Sequence, residues 1–210
     1  MQQLKTLGIL GGTFDPIHYG HIAAAECARD AFQLDRIILV PSARPPHKDM
    51  DGVLDSHHRY EMVQLAAQDN AHFEVSSLEL ERQGLSYTVE TVASCLQIYP
   101  GAEIFFILGV DALLLINTWK DLDRLVNLCK FIIVTRPGYY LNQNEDRFRE
   151  VPASLWEKAL NLPIPALFIS SSDIRTRVAE GKTIKYLLPP AVEKYIRENN
   201  LYRNGDENHD

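Results

Sequence analysis

The chain has 210 residues, of which 46% are hydrophobic and 23% charged, and its formal net charge at pH 7 is −7. This length and composition predict one ordinary globular domain with a real hydrophobic core. The negative charge argues against a broad surface for nucleic acid or for an anionic membrane. The sequence predicts neither a signal peptide nor a membrane span, and its three scattered cysteines predict no disulfide framework or zinc ribbon. We therefore expect a cytoplasmic protein.

The first predicted element leads into the most informative stretch of the chain. The apolar run at 7–10 predicts a buried strand, and Gly-Gly-Thr-Phe-Asp-Pro-Ile-His-Tyr-Gly-His follows at 11–21. A helical pattern continues from there, so a helix begins at the two histidines. The glycines let a ligand approach the backbone, and a helix N-terminus attracts anions. With His18 and His21 as hydrogen-bond donors, the stretch predicts a nucleotide phosphate site.

Other interpretations of this stretch have less support. The dinucleotide fingerprint G-x-G-x-x-G is absent, and no Gly-Lys-Ser/Thr follows as in a P-loop. His18 and His21 could ligate a metal with Asp15, but no further Cys or His cluster supports a closed zinc site. A single histidine is more often a core residue. Two at helical spacing behind Gly-Gly-Thr favour a functional role.

The stretch at 11–21 resembles the first signature of the nucleotidylyltransferase superfamily and, within it, of the bacterial nicotinate-nucleotide adenylyltransferases. Six signatures occur in family order between Gly11 and about Tyr202. The resemblance implies a Rossmann-like three-layer α/β sandwich with a mainly parallel sheet, which the alternation of strands and helices also predicts. We expect about five strands in a single domain, with a C-terminal helical portion from about residue 171.

A second predicted strand at 36–40 precedes a long polar segment, 41–56, which contains Pro-Pro-His-Lys at 45–48. A solvated surface loop would explain this composition. The resemblance instead implies that Lys48 lies at the phosphates. Asp55 or Ser56 can cap the next helix. Arg59 resembles a family arginine, but a solvated position is an equal alternative, and Arg59 is left out of the predicted site.

A short strand is predicted at 73–75 and a half-exposed extended stretch at 77–82. Ser-Tyr-Thr at 86–88 opens a helix that runs to about residue 99, with Ser86 as its cap. These residues resemble the family signature Ser-Tyr-Thr-x-Asp-Thr, although Glu90 replaces the usual aspartate. The resemblance implies that Thr88 faces the pyridine nucleotide.

The predicted strand at 103–108 ends in Gly109, Val110 and Asp111, where open α/β sheets bind ligands. Asp111 can accept hydrogen bonds from ribose hydroxyls or cap the next helix, and both roles stay open. By composition alone Trp119 favours the core. The resemblance places it against the nicotinate ring.

The last part of the chain carries two more signatures. A predicted strand at 131–135 precedes Arg136, which suits a phosphate, with a structural salt bridge as the competing role. A strand is predicted at 166–169, and a helix capped by Ser171 or Ser172 runs to about 180. Ile-Ser-Ser-Ser-Asp-Ile-Arg at 169–175 resembles a family signature, with Ser172 in place of threonine. The final helix is predicted at 192–199.

The resemblance implies adenylyl transfer from ATP to nicotinate mononucleotide, with pyrophosphate as the leaving group and no covalent enzyme intermediate. Mg²⁺ is expected with the ATP, held by phosphate oxygens and water rather than by a protein cage. The residues implied in catalysis are His18, His21, Lys48 and Arg175. Those implied in ATP binding are Gly11, Gly12, Thr13, Phe14, His18, His21, Gly109, Asp111, Ile169, Ser171, Ser172 and Arg175. Those implied in nicotinate mononucleotide binding are Asp15, Lys48, Thr88, Trp119, Lys120 and Arg136.

Two other functions remain open at this point. A sister enzyme such as phosphopantetheine adenylyltransferase is usually shorter and lacks the Ser-Tyr-Thr and Trp119 features. A nucleotide-binding sensor without turnover would bind ATP and release no pyrophosphate. The expected partners are small-molecule substrates, with neither nucleic acid nor membrane among them, and the sequence leaves homo-oligomer formation open.

Overall fold

A computed structural model of the chain describes residues 4–44, 52–135 and 141–203. Its centre is a parallel sheet of six strands, in the order β3-β2-β1-β4-β5-β6. This confirms the predicted Rossmann-like α/β class, with six strands rather than about five. The strands are β1 (Thr6–Gly12), β2 (Arg36–Pro41), β3 (Phe73–Val75), β4 (Glu103–Gly109), β5 (Lys130–Thr135) and β6 (Ala159–Pro163).

Helices cover both faces of the sheet, because the central strands are apolar on both sides. Along β1, Ile9 faces a core that includes residues of α3 and α5, and Leu10 faces a second core with residues of α1, α2, α7 and α8. The helices are α1 (Tyr19–Ala31), α2 (Ser56–Ala67), α3 (Thr88–Ile98), α4 (Val110–Leu114), α5 (Leu122–Leu128), α6 (Ala153–Trp156), α7 (Ser171–Ala179) and α8 (Pro190–Glu198).

Two predicted extended segments are wrong. Residues 164–170 contain no strand, and the sixth strand lies earlier, at Ala159–Pro163. The stretch at 77–82 forms turns and bends, because the side chain of Ser77 bonds to Glu81 and the backbone N–H of Glu81 bonds back to the Ser77 carbonyl. Alternation of apolar and charged residues was an insufficient signal over so short a segment.

The predicted helix caps are partly corrected. Asp55 caps α2 by accepting from the His57 N–H at 2.8 Å, as predicted. Ser86 does not cap α3; its hydroxyl accepts from the backbone N–H groups of Ala43 and Arg44, both at 3.1 Å. Ser170, rather than Ser171 or Ser172, caps α7.

The order of the strands determines where a ligand can bind. The chain places β2 and β3 on one side of β1, and β4, β5 and β6 on the other. The carboxyl ends of β1 and β4 therefore border a crevice at the point where the strand order reverses. Gly11 and Gly12 end β1 at this crevice, and Gly109 ends β4.

Candidate active site

The turn after β1 brings two imidazole rings together at the start of α1. His18 is the N-cap of α1, and its Nδ1 accepts from the Gly20 N–H at 3.1 Å. The Nδ1 of His21 accepts from the His18 N–H at 3.3 Å, and the rings stack with centroids 3.8 Å apart. Because both Nδ1 atoms accept, each neutral ring carries its proton on Nε2 and can donate it to a ligand.

Burial keeps both imidazoles neutral. It lowers the pKa of His18 from its ordinary value to about 4. Burial and, second, the nearby charge of His18 lower the pKa of His21 to about 3. The Phe14 ring packs edge-on against His21 with centroids 5.0 Å apart. At neutral pH the pair therefore offers hydrogen bonds rather than positive charge to a phosphate.

A cavity of about 360 Å³ opens beside the two histidines, and we call it the histidine cavity. His18 and His21 form one side of it, and Gly109, Asp111 and Ile169 contribute from the other elements. This volume suits a small-molecule ligand. The remaining wall is mainly apolar and includes Leu10, Ile107, Leu114, Ile164 and Leu167.

A second cavity, of about 350 Å³, lies on the α3 side of β1 and β4, and we call it the tryptophan cavity. Trp119 and Phe106 lie in its wall with ring centroids 5.7 Å apart in an edge-to-face arrangement. An aromatic wall of this kind favours a flat ring. The polar and backbone lining includes Gly11, Gly12, Thr13, Ser42, Glu79, Thr88 and Lys120.

The two cavities meet beside the start of α1, where His21 lies. His21 and Gly109 line both of them, together with Leu10, Ile107 and Leu108. A group bound in one cavity can therefore reach a group bound in the other beside the Nε2 of His21. This shared wall is the central geometric feature of the site.

An ion pair holds the segment that carries Trp119. The Nζ of Lys120 donates to Glu90 Oε1 at 2.8 Å and lies 4.1 Å from the centroid of the Tyr87 ring. Arg82 approaches the other oxygen of Glu90 at 3.7 Å. The pair joins the Trp119 segment to the first turn of α3 and closes one side of the tryptophan cavity.

Arg59 supports the site from beneath, and its solvated alternative is wrong because the side chain is fully buried. Its guanidinium donates to the carbonyls of Thr13 and Ser42 at 2.7 Å each, and to that of Leu54 at 2.9 Å. One side chain of α2 thus fixes the ends of β1 and β2, both of which line the tryptophan cavity.

Asp15 connects the same turn to the C-terminal part of the chain. Its carboxylate is 2% exposed and accepts from the Tyr202 hydroxyl at 2.8 Å. Arg175 donates to the Asp15 carbonyl at 2.7 Å, and Ser171 donates to the Pro16 carbonyl at 2.9 Å. These contacts hold the turn before His18, and none of Tyr202, Arg175 and Ser171 lines either of the two cavities.

Several of the residues predicted to bind ATP or nicotinate mononucleotide are not brought together in one cavity. Gly11, Gly12 and Thr13, predicted with ATP, line the tryptophan cavity, because Gly11 lies on the same side of the sheet as Phe106. Phe14 is buried against His21, and Asp15 is turned toward Tyr202. Ser171, Ser172 and Arg175 line neither cavity, since Arg175 bonds to Asp15 and Ser172.

Eight further predicted residues line the two cavities. His18, His21, Gly109, Asp111 and Ile169 share the histidine cavity. Thr88, Trp119 and Lys120 share the tryptophan cavity. Lys48 and Arg136 lie outside the described residues.

The sequence analysis missed Glu79 and Tyr202 and left Arg59 unassigned. Glu79 is 6% exposed and lines the tryptophan cavity, although it belongs to a segment predicted as half-exposed. No local signal distinguishes Tyr202 from other tyrosines, since its partner Asp15 is 187 positions away. Position in the first turn of α2 was the only signal for Arg59.

No three His, Cys, Asp or Glu side chains gather as a metal site among the described residues. Within residues 4–44, 52–135 and 141–203, no helix is long and apolar enough to cross a membrane.

The chain was compared with known proteins. A family model described as cytidylyltransferase-like matches residues 9–177. A Moorella thermoacetica protein named as a probable nicotinate-nucleotide adenylyltransferase is 52% identical over 198 residues, which cover 94% of this chain and 91% of the relative. A Thermoanaerobacter protein with the same name is 45% identical and is covered to 99%, as is this chain.

The fold also matches a solved structure, that of Plasmodium falciparum nicotinic acid mononucleotide adenylyltransferase complexed with NaAD. The TM-score is 0.75 and the identity 25%, over 94% of this chain and 97% of that one. The relatives and the solved fold match nearly the whole length, and the family model matches residues 9–177. The chain therefore belongs to the cytidylyltransferase-like family and, within it, to the nicotinate-nucleotide adenylyltransferases.

Proposed function

We propose that the histidine cavity binds ATP and that the tryptophan cavity binds nicotinate mononucleotide. As a nicotinate-nucleotide adenylyltransferase, the chain joins these substrates to nicotinate adenine dinucleotide and pyrophosphate, a step of NAD biosynthesis. The wall that the two cavities share at His21 and Gly109 carries the assignment. With one substrate in each cavity, the α-phosphorus of ATP and the attacking 5′-phosphate would meet at this wall.

The histidine cavity suits ATP through three kinds of group. The carboxylate of Asp111 can accept hydrogen bonds from ribose hydroxyls. The apolar wall, including Leu114 and Leu167, suits the adenine ring. The Nε2–H groups of His18 and His21 can donate to the phosphates without needing a positive charge.

The tryptophan cavity suits a pyridine nucleotide. Trp119 and Phe106 offer aromatic surface to the ring. The helix α3 begins at Thr88, and its N-cap Tyr87 makes no side-chain capping bond, so the first backbone N–H groups are available to a carboxylate. Lys120 adds a positive charge in the same wall.

The reaction needs positioning more than bond-making by the protein. Held in line, the 5′-phosphate oxygen attacks the α-phosphorus, the bond to the bridging oxygen breaks, and pyrophosphate leaves with its electrons. His21 donates to the α-phosphoryl oxygens as charge develops on them. Lys48 and Arg136 remain predicted ligands of the phosphates. Asp15, Arg175, Ser171 and Ser172 position the turn that carries the histidines.

We expect a divalent cation, Mg²⁺, to accompany ATP and to neutralise phosphate charge. Phosphate oxygens and water are the ligands that Mg²⁺ usually keeps beside a nucleotide, so we expect them to hold the ion. Asp111 is the acidic side chain in the histidine cavity and could contact that hydration shell.

The substitution His21→Ala tests the assignment. Loss of one donor aimed at developing phosphate charge should lower kcat by roughly a hundredfold to a thousandfold. Pyrophosphate release from ATP is measured with nicotinate mononucleotide, nicotinamide mononucleotide and phosphopantetheine in parallel, and circular dichroism checks the fold. The exposed histidine His57 provides a matched control, and His57→Ala should keep the wild-type rate.

The proposal would be contradicted by two outcomes. Tight ATP binding without pyrophosphate release for any acceptor would indicate a sensor. A wild-type kcat in a folded His21→Ala variant would show that the shared wall takes no part in the reaction.

A further inference from the structure

Glu79 is a buried acidic residue to which the proposed reaction gives no role. It lies between β3 and α3, is 6% exposed, and lines the tryptophan cavity. Its Oε1 accepts from the hydroxyl of Thr91 on α3 at 2.6 Å. Its Oε2 is buried and has no hydrogen-bond partner among the described residues. A buried carboxylate oxygen left without a partner is unfavourable and rare in native proteins.

The Glu79 carboxylate has no direct ion-pair partner among the residues that the structure describes. Across the described ranges, no lysine, arginine or histidine forms an ion pair with it. Arg82 donates to Thr91 Oγ1 at 3.4 Å, which in turn donates to Glu79, and it approaches Glu90 at 3.7 Å. The wall of the tryptophan cavity therefore presents a buried carboxylate oxygen without a direct partner in the described part of the chain, where a positively charged ligand could meet it.

The other walls of the cavity fit a flat cation. The faces and edges of Trp119 and Phe106 lie in the same cavity as Glu79, and the ring of Tyr87 lies beside them. Aromatic rings attract organic cations, and a carboxylate reinforces that attraction. The positive charge of Lys120 belongs to the same wall but is paired with Glu90.

We infer that Glu79 supplies the counter-charge for the positively charged ring of a pyridine nucleotide. The inference rests on the proposed function, which puts such a nucleotide in this cavity. The ring nitrogen forms the glycosidic bond and is therefore a permanent cation. Its carboxylate substituent is bound separately, by the start of α3 and Lys120. The cavity thus matches a zwitterionic ring with two opposite charges of its own.

A purely structural role for Glu79 explains the hydrogen bond at Oε1 but not the buried Oε2, which has no partner among the described residues. The bond from Thr91 to Oε1 joins the 76–87 segment to α3, and a glutamine or glutamate would accept it equally well. The two roles make different predictions for a ligand that has the same shape and no ring charge.

The substitution Glu79→Gln removes the charge and keeps an oxygen for Thr91. We expect it to weaken the binding of nicotinate mononucleotide about tenfold or more. The loss is measured as Kd by titration calorimetry and as KM, and the KM for ATP should stay unchanged. Nicotinamide mononucleotide carries the same ring charge, so the substitution should weaken its binding by the same factor. The control Glu81→Gln removes one charge from an exposed neighbour and should change neither constant.

The ligand that tests the role of the ring charge is an isosteric nucleotide in which carbon replaces the ring nitrogen. This neutral-ring analogue should bind wild-type protein and Glu79→Gln equally. Equal weakening of the charged and neutral rings, or no weakening of either, would overturn the inference. A changed preference between the acid and the amide would overturn it as well, because Glu79 would then act on the ring substituent.

Two further measurements keep the test decisive. Thr91→Val removes the hydroxyl and leaves the charge, so it should preserve the preference for the charged ring. If Glu79→Gln does not fold, wild-type protein gives the answer alone: equal affinity for the charged and neutral rings would overturn the inference. Failure of turnover by wild-type protein would contradict the proposed function and leave this binding comparison valid.

Discussion

Main-chain hydrogen bonds fix which ring nitrogen of His18 and His21 carries the proton. Each Nδ1 accepts a main-chain N–H, and each ring is buried at the start of α1. The two rings therefore stay neutral and present Nε2–H toward the cavities. A stacked pair of neutral donors avoids the repulsion that two imidazolium ions at 3.8 Å would suffer.

The neutral form of the two histidines predicts that the free energy of unfolding depends on pH. The pKa of His18 is lowered to about 4 and that of His21 to about 3 in the folded protein. The unfolded chain binds protons at pH values near 6.5, where the folded protein does not. Stability contributed by the neutral rings is therefore present above pH 6.5 and is lost as pH falls toward 4.

Urea denaturation at pH values from 7 to 4.5 measures this loss. Each histidine should add about 1.4 kcal/mol per pH unit to the fall in the free energy of unfolding below pH 6. His21→Gln should remove one such contribution, so its curve should be shallower than that of the wild type. Parallel curves for the two proteins would refute the assigned state of His21.

The residue scale also shows where a motif is informative. Gly-Gly-Thr-Phe-Asp-Pro-Ile-His-Tyr-Gly-His correctly predicted a strand, a turn and a helix that begins at two histidines. It could not show that Asp15 faces Tyr202, because spacing along the chain does not say to which side a turn residue points. The signature residues are near the ligand as a group, but their individual contacts depend on the fold.

Among the elements, α2 has a role beyond packing. It carries Arg59, whose guanidinium bonds to carbonyls at the ends of β1 and β2. Those carbonyls belong to segments that leave the sheet at the crevice, where no neighbouring strand is available to them. The buried guanidinium takes the place of strand pairing there.

Replacing Arg59 should therefore destabilise the protein strongly. Arg59→Met keeps the length of the side chain and leaves the carbonyls of Thr13, Ser42 and Leu54 without their donor. We expect the free energy of unfolding, measured by urea denaturation, to fall by about 3 kcal/mol or more.

Arg29 on α1 serves as the control, because its partner Glu26 is on the surface of the same helix. Arg29→Met should change the free energy of unfolding by about 1 kcal/mol or less. A similar small change for Arg59→Met would show that water satisfies the three carbonyls.

Secondary structure was predictable where local patterns agree with the environment. The strands β1, β2, β4 and β5 are uninterrupted apolar runs, as expected in a parallel sheet covered on both faces. The segment at 77–82 was mispredicted, because side-chain bonds such as that of Ser77 to Glu81 decide its shape. The strand predicted at 166–169 lies at Ala159–Pro163 instead. The cap of α3 was missed because Ser86 bonds to a distant loop.

At the scale of the whole molecule, the C-terminal part of the chain completes the site. The residues of α7 and α8 share a core with β1 and α1, and Tyr202, Arg175 and Ser171 contact the turn before His18. The turn that carries the histidines is therefore anchored by the C-terminal part of the chain.

Tyr202→Phe tests this support. It removes the hydroxyl that donates to Asp15 and keeps the ring in place. We expect kcat to fall several-fold and the free energy of unfolding to fall by about 2 kcal/mol, since the acceptor is a buried carboxylate. The KM for nicotinate mononucleotide should not change, because its cavity makes no contact with Tyr202.

The exposed tyrosine Tyr186 gives the matched control, and Tyr186→Phe should keep wild-type kcat and stability. If Tyr202→Phe lowered stability alone, the hydroxyl would hold the fold without positioning the histidines. Sequence analysis could not have proposed this contact, because neither residue carries a signal for a partner 187 positions away.

The bond between Asp15 and Tyr202 has a consequence for synthesis. The ribosome makes the glycine-histidine turn first and Tyr202 almost last among the residues that the structure describes. A nascent chain can form β1 and β2 early, but its histidine turn lacks this bond until Tyr202 has left the exit tunnel. Full activity should therefore appear late in translation, and only after release of the final helix.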